Sequence, residues 1–261
     1  MKLSVIIPSY KDPLLNKTCE SLIQSSELPK DQLEIIVVMD GYWQAPIDDP
    51  RVKVLHLGKN RGMREAINAG VKMSTGQYIM RTDEHCTFGQ GYDRILTDKN
   101  NIKDNWIVVP RRYFLDPVKW EIIGDKYIDY EKLIIATDRK KFTAHPWKSR
   151  TEKRKDIGVD ETGSMQGSAW IMSRHHWDTV IGELQTEGYG PLYQDSTEMI
   201  FKTWQAGGKM MLNKLTWYAH KHRSFKRTHN INADESQKSF DYALSIWEPY
   251  YREVVQPKWG F

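Results

Sequence analysis

A carboxylate and an imidazole stand two residues apart in the segment RTDEHCTF (81–88), at Asp83 and His85. The segment follows the apolar-leaning GQYIM, so the pair lies just beyond the end of a predicted strand. On an extended backbone, side chains two residues apart point to the same side. Aspartate oxygens and histidine nitrogens both bind divalent metal ions. The spacing therefore admits a metal site, although a solvated polar loop would produce the same pattern.

A third ligand for such a site is available much later in the chain. The segment WYAHKHR (217–223) offers either His220 or His222. One aspartate and two histidines around a cation with open coordination positions could hold a diphosphate through Mn²⁺ or Mg²⁺. The alternative is that these histidines end a strand or meet a phosphate as cations. The spacing alone leaves both interpretations open.

Strand and helix signals alternate through the first 110 residues. The predicted strands are 3–8, 33–41, 51–58 and 77–83, and helices are predicted at 14–26 and 60–76. This alternation is typical of an α/β fold with parallel strands, and ligands bind such sheets beyond the carboxyl ends of the strands. Pro8–Tyr10, Asp40 and Asp83–His85 all lie at the carboxyl ends of predicted strands, so we expect them on one rim.

The second part of the chain is less regular. A strand is predicted at 105–110, but 111–165 shows no clear periodicity, and the basic stretch 138–156 is predicted to be a mobile loop. A strand after Gly167, a helix within 193–210, a strand entering a basic cluster at 215–229 and a C-terminal helix at 236–255 complete the chain. Because no repeat or low-complexity linker interrupts it, we predict one domain over 1–261.

Composition narrows the class of protein. Hydrophobic residues make up 39% of the 261 residues, which is enough for a core and argues against general disorder. No stretch approaches the roughly 18–20 apolar residues of a membrane span, and the N-terminus is predicted to be a strand and not a signal peptide. The two cysteines, Cys19 and Cys86, suggest no disulfide framework, so we expect a cytoplasmic location. The net charge of +4 is mild, so its distribution matters more than its size.

Other polar positions on the predicted rim have two interpretations each. Asp40 could accept hydrogen bonds from a ribose or a base, or it could form a turn with Gly41. Arg61 and Arg64 begin a predicted helix, where they could bind a phosphate or form a solvated face.

Two further groups stand on the second half. Asp195 and Glu198 share a helix face; Asp195 could be an N-cap, or it could orient or deprotonate a hydroxyl. The basic and aromatic residues of 139–155, with Lys221, Arg223 and neighbouring basic residues, could follow a polyanion or form a solvated surface.

The chain resembles family 2 glycosyltransferases in three segments, which occur in the family's order: SVIIPSYKDP, EIIVVMDG and NRGMREAINAGVKMSTGQYIMRTDEH. The resemblance continues in order over nearly the whole chain. This resemblance implies the GT-A fold, an α/β, Rossmann-like nucleotide-binding architecture with a central mixed sheet flanked by helices. It also implies a nucleotide-sugar-binding half at 1–110 and an acceptor-binding half at 111–261.

The metal motif departs from the usual Asp-x-Asp of that family. Here it is Asp83-Glu84-His85, similar to the Asp-x-His of polypeptide N-acetylgalactosaminyltransferases, and MQGSAWIMSRHHW, EMIFKTWQAGGKM and AHKHR also resemble segments of those enzymes. The resemblance implies that Asp83, His85 and His220 bind Mn²⁺, that Asp40 binds uridine, and that His222 is a neighbour. With no lectin domain or membrane anchor in the sequence, a secretory mucin-type enzyme is not expected.

The resemblance and the positions described above give the remaining expected site residues. Contacts to the nucleotide sugar are expected for Pro8, Tyr10, Asp40, Arg61, Arg64, Asp83 and Arg223. Contacts to the acceptor are expected for Gln166, Gly167 and Trp170, although Trp170 suits a core position better, and for Lys148 and Arg150 of the basic stretch 139–155.

The catalytic helix leaves the stereochemistry open. Inverting family members carry Glu-Asp there, and an alignment without gaps places Asp195-Ser196 at this point. A shift of one residue places Gln194-Asp195, while the retaining mucin-type enzymes lack the base. We therefore predict Asp195 as a base or acceptor-orienting residue, with Glu198 as a second catalytic residue.

The expected function is a glycosyltransferase that uses a UDP-sugar and Mn²⁺ or Mg²⁺. The chain is similar to soluble phage enzymes that decorate hydroxymethylated bases, so the predicted acceptor is 5-hydroxymethylcytosine in double-stranded DNA, in a host cytoplasm. A cell-surface glycan or a lipid-linked sugar is the alternative acceptor. A catalytically dead nucleotide-sugar or nucleic-acid binding protein is the non-enzyme alternative, but it would be expected to lose the metal ligands.

Overall fold

The computed structural model of the protein describes residues 2–138, 140–221 and 233–261. Its strands are β1 Leu3–Ser9, β2 Leu33–Met39, β3 Val52–His56, β4 Tyr78–Thr82, β5 Cys86–Phe88, β6 Trp106–Asp116, β7 Glu121–Ile128, β8 Glu131–Ala136, β9 Lys141–Pro146, β10 Val159–Glu161, β11 Ala169–Ser173 and β12 Lys209–His220. Its helices are α1 Leu15–Gln24, α2 Met63–Met73, α3 Tyr92–Leu96, α4 Lys148–Lys153, α5 Arg174–His176, α6 Asp195–Gln205, α7 Ala233–Tyr250 and α8 Gln256–Trp259.

A mixed sheet of ten strands organises the described residues. Its order is β10-β12-β6-β11-β4-β1-β2-β3, with β5 paired to β12 and β7 paired to β6. The strands β4, β1, β2 and β3 are parallel, whereas β11 is antiparallel to both β4 and β6. The strands β8 and β9 form a separate hairpin. The predicted α/β class with a central mixed sheet flanked by helices is confirmed.

The two faces of the central strands build two cores. Successive side chains of a strand point to opposite faces, so Ile6 and Val5 of β1 enter different clusters. Ile6 packs with the α2 residue Ile67, while Val5 packs with the α1 residue Leu22. Every residue of β2 is buried, which explains its nearly continuous apolar sequence.

The helix α2 approaches the sheet closely at Gly70. A Cβ atom added there would lie 2.5 Å from Ile6 Cγ2 and 2.9 Å from Val38 Cγ2. We expect Gly70→Ala to lower the free energy of unfolding by about 1–3 kcal/mol, because the added methyl overpacks a filled core. Urea denaturation measures the change, and Lys72→Ala on the exposed face of α2 is the control. An unchanged midpoint for Gly70→Ala would contradict this close packing.

A buried carboxylate joins the parallel strands to the turn before β4. Glu34 is 1% exposed, and its oxygens accept hydrogen bonds from Ser4 Oγ at 2.6 Å, from Thr75 N at 2.6 Å and from Lys53 Nζ at 2.6 Å. Burial alone would raise the pKa of Glu34. The hydrogen bonds outweigh burial and lower this pKa to about 2.

This depressed pKa predicts acid sensitivity. The folded pKa of Glu34 lies below its ordinary value of 4.5, so its stabilisation is present above pH 4.5 and is lost as the pH falls toward 2. We expect Glu34→Gln to lower the free energy of unfolding by about 2–3 kcal/mol at pH 7, and by progressively less below pH 4.5. Urea denaturation across this pH range tests the expectation. The exposed Glu20→Gln is the control, and a pH-independent difference for Glu34→Gln would contradict it.

The segment predicted as a mobile loop contains a strand and a helix among its described residues. Within 138–156 the chain forms β9 and α4, and Arg154 Nη2 donates to Asp160 Oδ1 at 2.8 Å. The prediction of a loop was wrong because two of its basic residues, Arg150 and Arg154, pair with Asp160, which composition does not reveal. The wider stretch 111–165, in which this segment lies, also contains the rest of β6 and the strands β7, β8 and β10.

Among the helices of the described residues, none combines the length and the apolar character that a membrane span requires.

Candidate metal and substrate site

Three predicted metal ligands meet at the carboxyl edge of the sheet. Asp83 follows β4, His85 precedes β5, and His220 ends β12, which pairs with β5 so that His220 lies opposite Cys86. The Nε2 atom of His220 lies 3.1 Å from Asp83 Oδ2 and 3.1 Å from His85 Nε2. The ligand atoms of the three residues all lie within 4.8 Å of one another.

The chemistry of this cluster suits a divalent cation. One carboxylate oxygen and two imidazole nitrogens converge, which is a donor set that Mn²⁺ accepts. The two other residues predicted here, His222 and Arg223, lie outside the described residues.

The electrostatics favour the forms that bind metal. Burial would raise the pKa of Asp83, but Arg81 and His220 hold it well below its usual range. Arg81 is 2% exposed, and its Nη2 donates to Asp83 Oδ1 at 2.6 Å. Burial lowers the pKa of His220 despite the attraction of Asp83. An ionised carboxylate and a neutral imidazole are the protonation states that a metal requires.

Sequence reasoning missed Arg81 and Asp12 near this cluster, and it placed Glu84 on the rim without a role. Arg81 supports Asp83, and Asp12 Oδ2 lies 2.9 Å from His85 Nδ1. Glu84 accepts a hydrogen bond from Tyr10 N at 3.0 Å, and burial raises the pKa of Glu84 to about 8. Asp12 lies just beyond the carboxyl end of β1, so the rule that placed Asp40 and Asp83 on the rim could have found it.

The Asp40 carboxylate organises the loop before α2. It is 3% exposed, and its two oxygens accept hydrogen bonds from Arg61 N at 2.6 Å and from Gly62 N at 2.7 Å. A nucleoside contact at Asp40 therefore stays a prediction and would share these oxygens with two backbone donors. The Arg61 side chain is 49% exposed and pairs with Glu65. Its contact with a diphosphate also stays a prediction.

The predicted roles of Arg64 and Glu198 were wrong. Their side chains are 0% and 1% exposed, and they form a buried ion pair between α2 and α6. Arg64 also donates to Tyr193 O at 2.9 Å and stacks on the Tyr189 ring. A fully buried guanidinium and carboxylate cannot reach a diphosphate or an acceptor, so this pair holds two helices together.

Asp195 is the first residue of α6 and faces a cavity of about 350 Å³. The N-cap is Gln194, so the N-cap interpretation of Asp195 was wrong. Asp195 is 8% exposed, and its Oδ2 has no hydrogen-bond partner among the described residues. The cavity is lined by Leu133, Phe142, Thr143, Ala144, Ser164, Met165, Gln166, Gly167, Tyr193, Gln194, Asp195, Ser196, Thr197 and Ile200.

Gly167 lies between this cavity and the cluster of Asp83, His85 and His220. A Cβ atom there would lie 2.7 Å from Ser196 Oγ and 3.4 Å from Asp195 Oδ2, so a larger residue would require the Ser196 side chain to move. The next residue, Ser168, accepts a hydrogen bond through its carbonyl from Asp83 N at 2.9 Å. The cavity and the cluster therefore adjoin on one rim. Gln166, predicted beside Gly167, lines the cavity and donates to Glu131 Oε1 at 2.7 Å.

The other acceptor-side predictions have mixed outcomes. Trp170 is 0% exposed and stacks on Trp177, so its predicted contact with a substrate was wrong and it is a core residue. The Arg150 guanidinium lies over the Trp147 ring and donates to Glu161 O at 2.8 Å. These contacts within the protein hold the guanidinium in place, and its contact with an acceptor stays a prediction. Lys148 is exposed at the start of α4.

Two nucleotide-side predictions lie at the end of β1. Pro8 is half-buried within the strand, and Tyr10 follows it. Their contact with a nucleotide stays a prediction.

The mixed sheet, with its parallel half and the polar residues on its rim, defines an α/β protein. The profile of Glycosyl transferase family 2 matches residues 4–175, and the chain belongs to this family. The predicted family is therefore confirmed.

Two curated relatives illustrate the range of this family. Polypeptide N-acetylgalactosaminyltransferase 4 of Mus musculus is 24% identical over 265 residues, covering 96% of this chain and 44% of the relative. Undecaprenyl-phosphate 4-deoxy-4-formamido-L-arabinose transferase of Proteus mirabilis is 28% identical over 160 residues, covering 53% of this chain and 49% of the relative. The chain thus spans about half the length of the curated relatives it matches.

A solved structure shares the fold. The crystal structure of GalNAc-T7 with UDP, GalNAc and Mn²⁺ matches with a TM-score of 0.78 and 18% identity, covering 98% of this chain and 50% of that one. At this identity the likeness establishes the fold, which is the predicted GT-A arrangement.

Proposed function

We propose that this chain transfers a sugar from a UDP-sugar to an acceptor hydroxyl and that the reaction depends on a divalent cation. The observation that carries the proposal is the convergence of Asp83, His85 and His220 at the carboxyl edge of the sheet. Ligands bind α/β sheets at this edge. The similar structure of GalNAc-T7, solved with UDP, GalNAc and Mn²⁺, supports the choice of donor and metal.

Different residues of the rim would bind the metal ion, the nucleoside and the acceptor. Asp83, His85 and His220 would hold Mn²⁺ or Mg²⁺, which would offset the charge of the diphosphate and of the departing UDP. Tyr10 and the Asp40 loop would frame the nucleoside. Asp195 presents a buried oxygen to the cavity, so it would accept a hydrogen bond from the acceptor hydroxyl and would either orient it or take its proton.

Hydroxymethylated DNA, with 5-hydroxymethylcytosine as the target, remains the proposed acceptor. The helix α4 follows β9 directly, and three residues of β9 line the cavity. The exposed Lys148 and Lys153 of α4 are therefore close in sequence to residues of the proposed acceptor site. These lysines would contact phosphates, and the target base would be flipped into the cavity. The ion pairs of Arg150 and Arg154 with Asp160 leave fewer free charges than the sequence suggested.

A saccharide hydroxyl is the second candidate acceptor. The cavity is lined by carboxylate, amide and hydroxyl groups from Asp195, Gln166 and Ser164. Such groups pair with the hydroxyls of a sugar without needing phosphate contacts. Two other acceptors are suggested by the names of the relatives: a lipid-linked one by that of the Proteus mirabilis protein, and a polypeptide by that of the mouse protein.

A cytoplasmic setting belongs to the same proposal. Cys19 and Cys86 are both free and buried, which suits a reducing compartment.

The test is UDP release from a panel of UDP-sugars with Mn²⁺. The arms contain no acceptor, unmodified DNA, DNA with 5-hydroxymethylcytosine, an oligosaccharide, or a serine and threonine peptide. We expect release that EDTA abolishes. Stimulation only by hydroxymethylated DNA would support the first acceptor, and stimulation only by the oligosaccharide would support the second. No release from any UDP-sugar in any arm would refute the proposed reaction.

A further inference from the structure

Asp12 lies directly behind one of the candidate metal ligands. It is 2% exposed and lies in the connection between β1 and α1. Its Oδ1 accepts a hydrogen bond from Leu14 N at 2.9 Å, and its Oδ2 lies 2.9 Å from His85 Nδ1. The turn therefore holds the carboxylate in one orientation, with the second oxygen directed at the imidazole of His85.

This contact decides which nitrogen of His85 carries the hydrogen. An ionised carboxylate only accepts hydrogen bonds, so Nδ1 must be the donor and Nε2 must bear the lone pair. Nε2 is the atom that lies 3.1 Å from His220 Nε2 and 3.8 Å from Asp83 Oδ2. Asp12 thus turns the metal-binding nitrogen of His85 toward the two other candidate ligands.

A second explanation of Asp12 is that it binds a cation itself. Ligand atoms of Asp12, Glu84 and His85 also lie within 4.8 Å of one another. However, Glu84 Oε2 already accepts the hydrogen of Tyr10 N at 3.0 Å. A cation in this group would also have to displace the hydrogen between Asp12 and His85. The orienting role requires no such rearrangement.

We propose that Asp12 is a positioning residue, which holds His85 in the Nδ1–H tautomer so that its Nε2 faces the cation site shared with Asp83 and His220. The proposal rests on the metal site of the proposed function. Carboxylates that hold a ligating imidazole from behind fix its orientation and raise its basicity.

The sharpest test is Asp12→Asn, which keeps the size of the side chain. Since the Leu14 N–H requires the remaining oxygen, the amide NH₂ turns toward His85 and the imidazole hydrogen moves to Nε2. We expect long-range ¹H–¹⁵N spectra of the metal-free protein to show Nδ1–H in the wild type and Nε2–H in the variant. We expect the Kd for Mn²⁺, measured by electron paramagnetic resonance, to rise about 10- to 100-fold.

The matched control is Asp49→Asn. Asp49 Oδ1 also accepts a backbone hydrogen bond from the residue two positions on, Arg51 N at 2.9 Å. We expect this control to change neither the His85 tautomer nor the Kd for Mn²⁺. If Asp12→Asn fails to fold, Asp12→Ser replaces it, because its hydroxyl can still accept from the Leu14 N–H while withdrawing from His85; the expected rise in Kd is the same.

Three outcomes would overturn the positioning role. The first is an Asp12→Asn protein with an unchanged His85 tautomer and a Kd for Mn²⁺ within twofold of the wild-type value. The second is a wild type that binds two Mn²⁺ ions per chain, of which Asp12→Asn loses one. The third is a wild type that binds no Mn²⁺. Conversely, the expected tautomer and Kd together with no UDP release from any UDP-sugar would support the role of Asp12 and refute the proposed transfer reaction. The two proposals can therefore fail separately.

Discussion

Asp83→Ala is expected to reduce Mn²⁺-dependent UDP release by more than about 100-fold. The substitution removes the only carboxylate among the three residues Asp83, His85 and His220, which leaves two imidazoles to bind a cation and its diphosphate. Mutation of a residue that only orients a metal ligand lowers metal affinity or activity about 10- to 100-fold. Loss of a ligand itself should therefore lower turnover by at least as much. Steady-state UDP release at several Mn²⁺ concentrations measures the effect.

This variant also removes the partner of a buried charge. Arg81 is 2% exposed and donates to Asp83 Oδ1, so Asp83→Ala leaves its guanidinium without that acceptor. Asp83→Asn keeps an oxygen near Arg81 and separates the loss of metal from the loss of stability. The exposed Asp125→Ala is the control for aspartate removal. Turnover within threefold of the wild type in a folded Asp83→Asn or Asp83→Ala protein would show that Asp83 is not a metal ligand.

The cluster of Asp83, His85 and His220 was predictable because each of these candidate metal ligands terminates or follows a strand. Asp83 and His85 follow an apolar-leaning run, and a polar residue at the end of a parallel strand lies on the ligand-binding edge. His220 lies 135 residues beyond His85, so its approach depends on the pairing of β12 with β5, which no local pattern reveals. Residue types alone offered His220 or His222, and the resemblance of the surrounding residues to a known family motif selected His220.

Residues whose role depends on burial were predicted less well. Arg64 and Trp170 have types and positions that suit a phosphate site and a stacking surface, but both are 0% exposed. The same residue types serve binding when exposed and packing when buried, and burial is decided by elements far apart in the chain. The prediction of a loop at 138–156 was wrong for a related reason, since Arg150 and Arg154 pair with Asp160 only after folding.

The buried ion pair gives the largest expected effect on stability. We expect Glu198→Ala to lower the free energy of unfolding by about 3–5 kcal/mol, because it leaves the fully buried guanidinium of Arg64 without its counter-charge. Urea denaturation at neutral pH measures the change. The exposed pair Arg61–Glu65 lies on the same helix α2 and is the matched control; Glu65→Ala should cost less than about 1 kcal/mol.

Paired replacement separates a structural role from a catalytic one. In Arg64→Met with Glu198→Leu, apolar side chains of similar volume replace both charges, so we expect most of the lost stability to return. We also expect UDP release per folded molecule to stay within a few-fold of the wild type in Glu198→Gln, because the carboxylate is buried away from the cavity between α2 and α6. Near-native stability of Glu198→Gln combined with a loss of turnover above about 100-fold would instead restore Glu198 to the catalytic machinery.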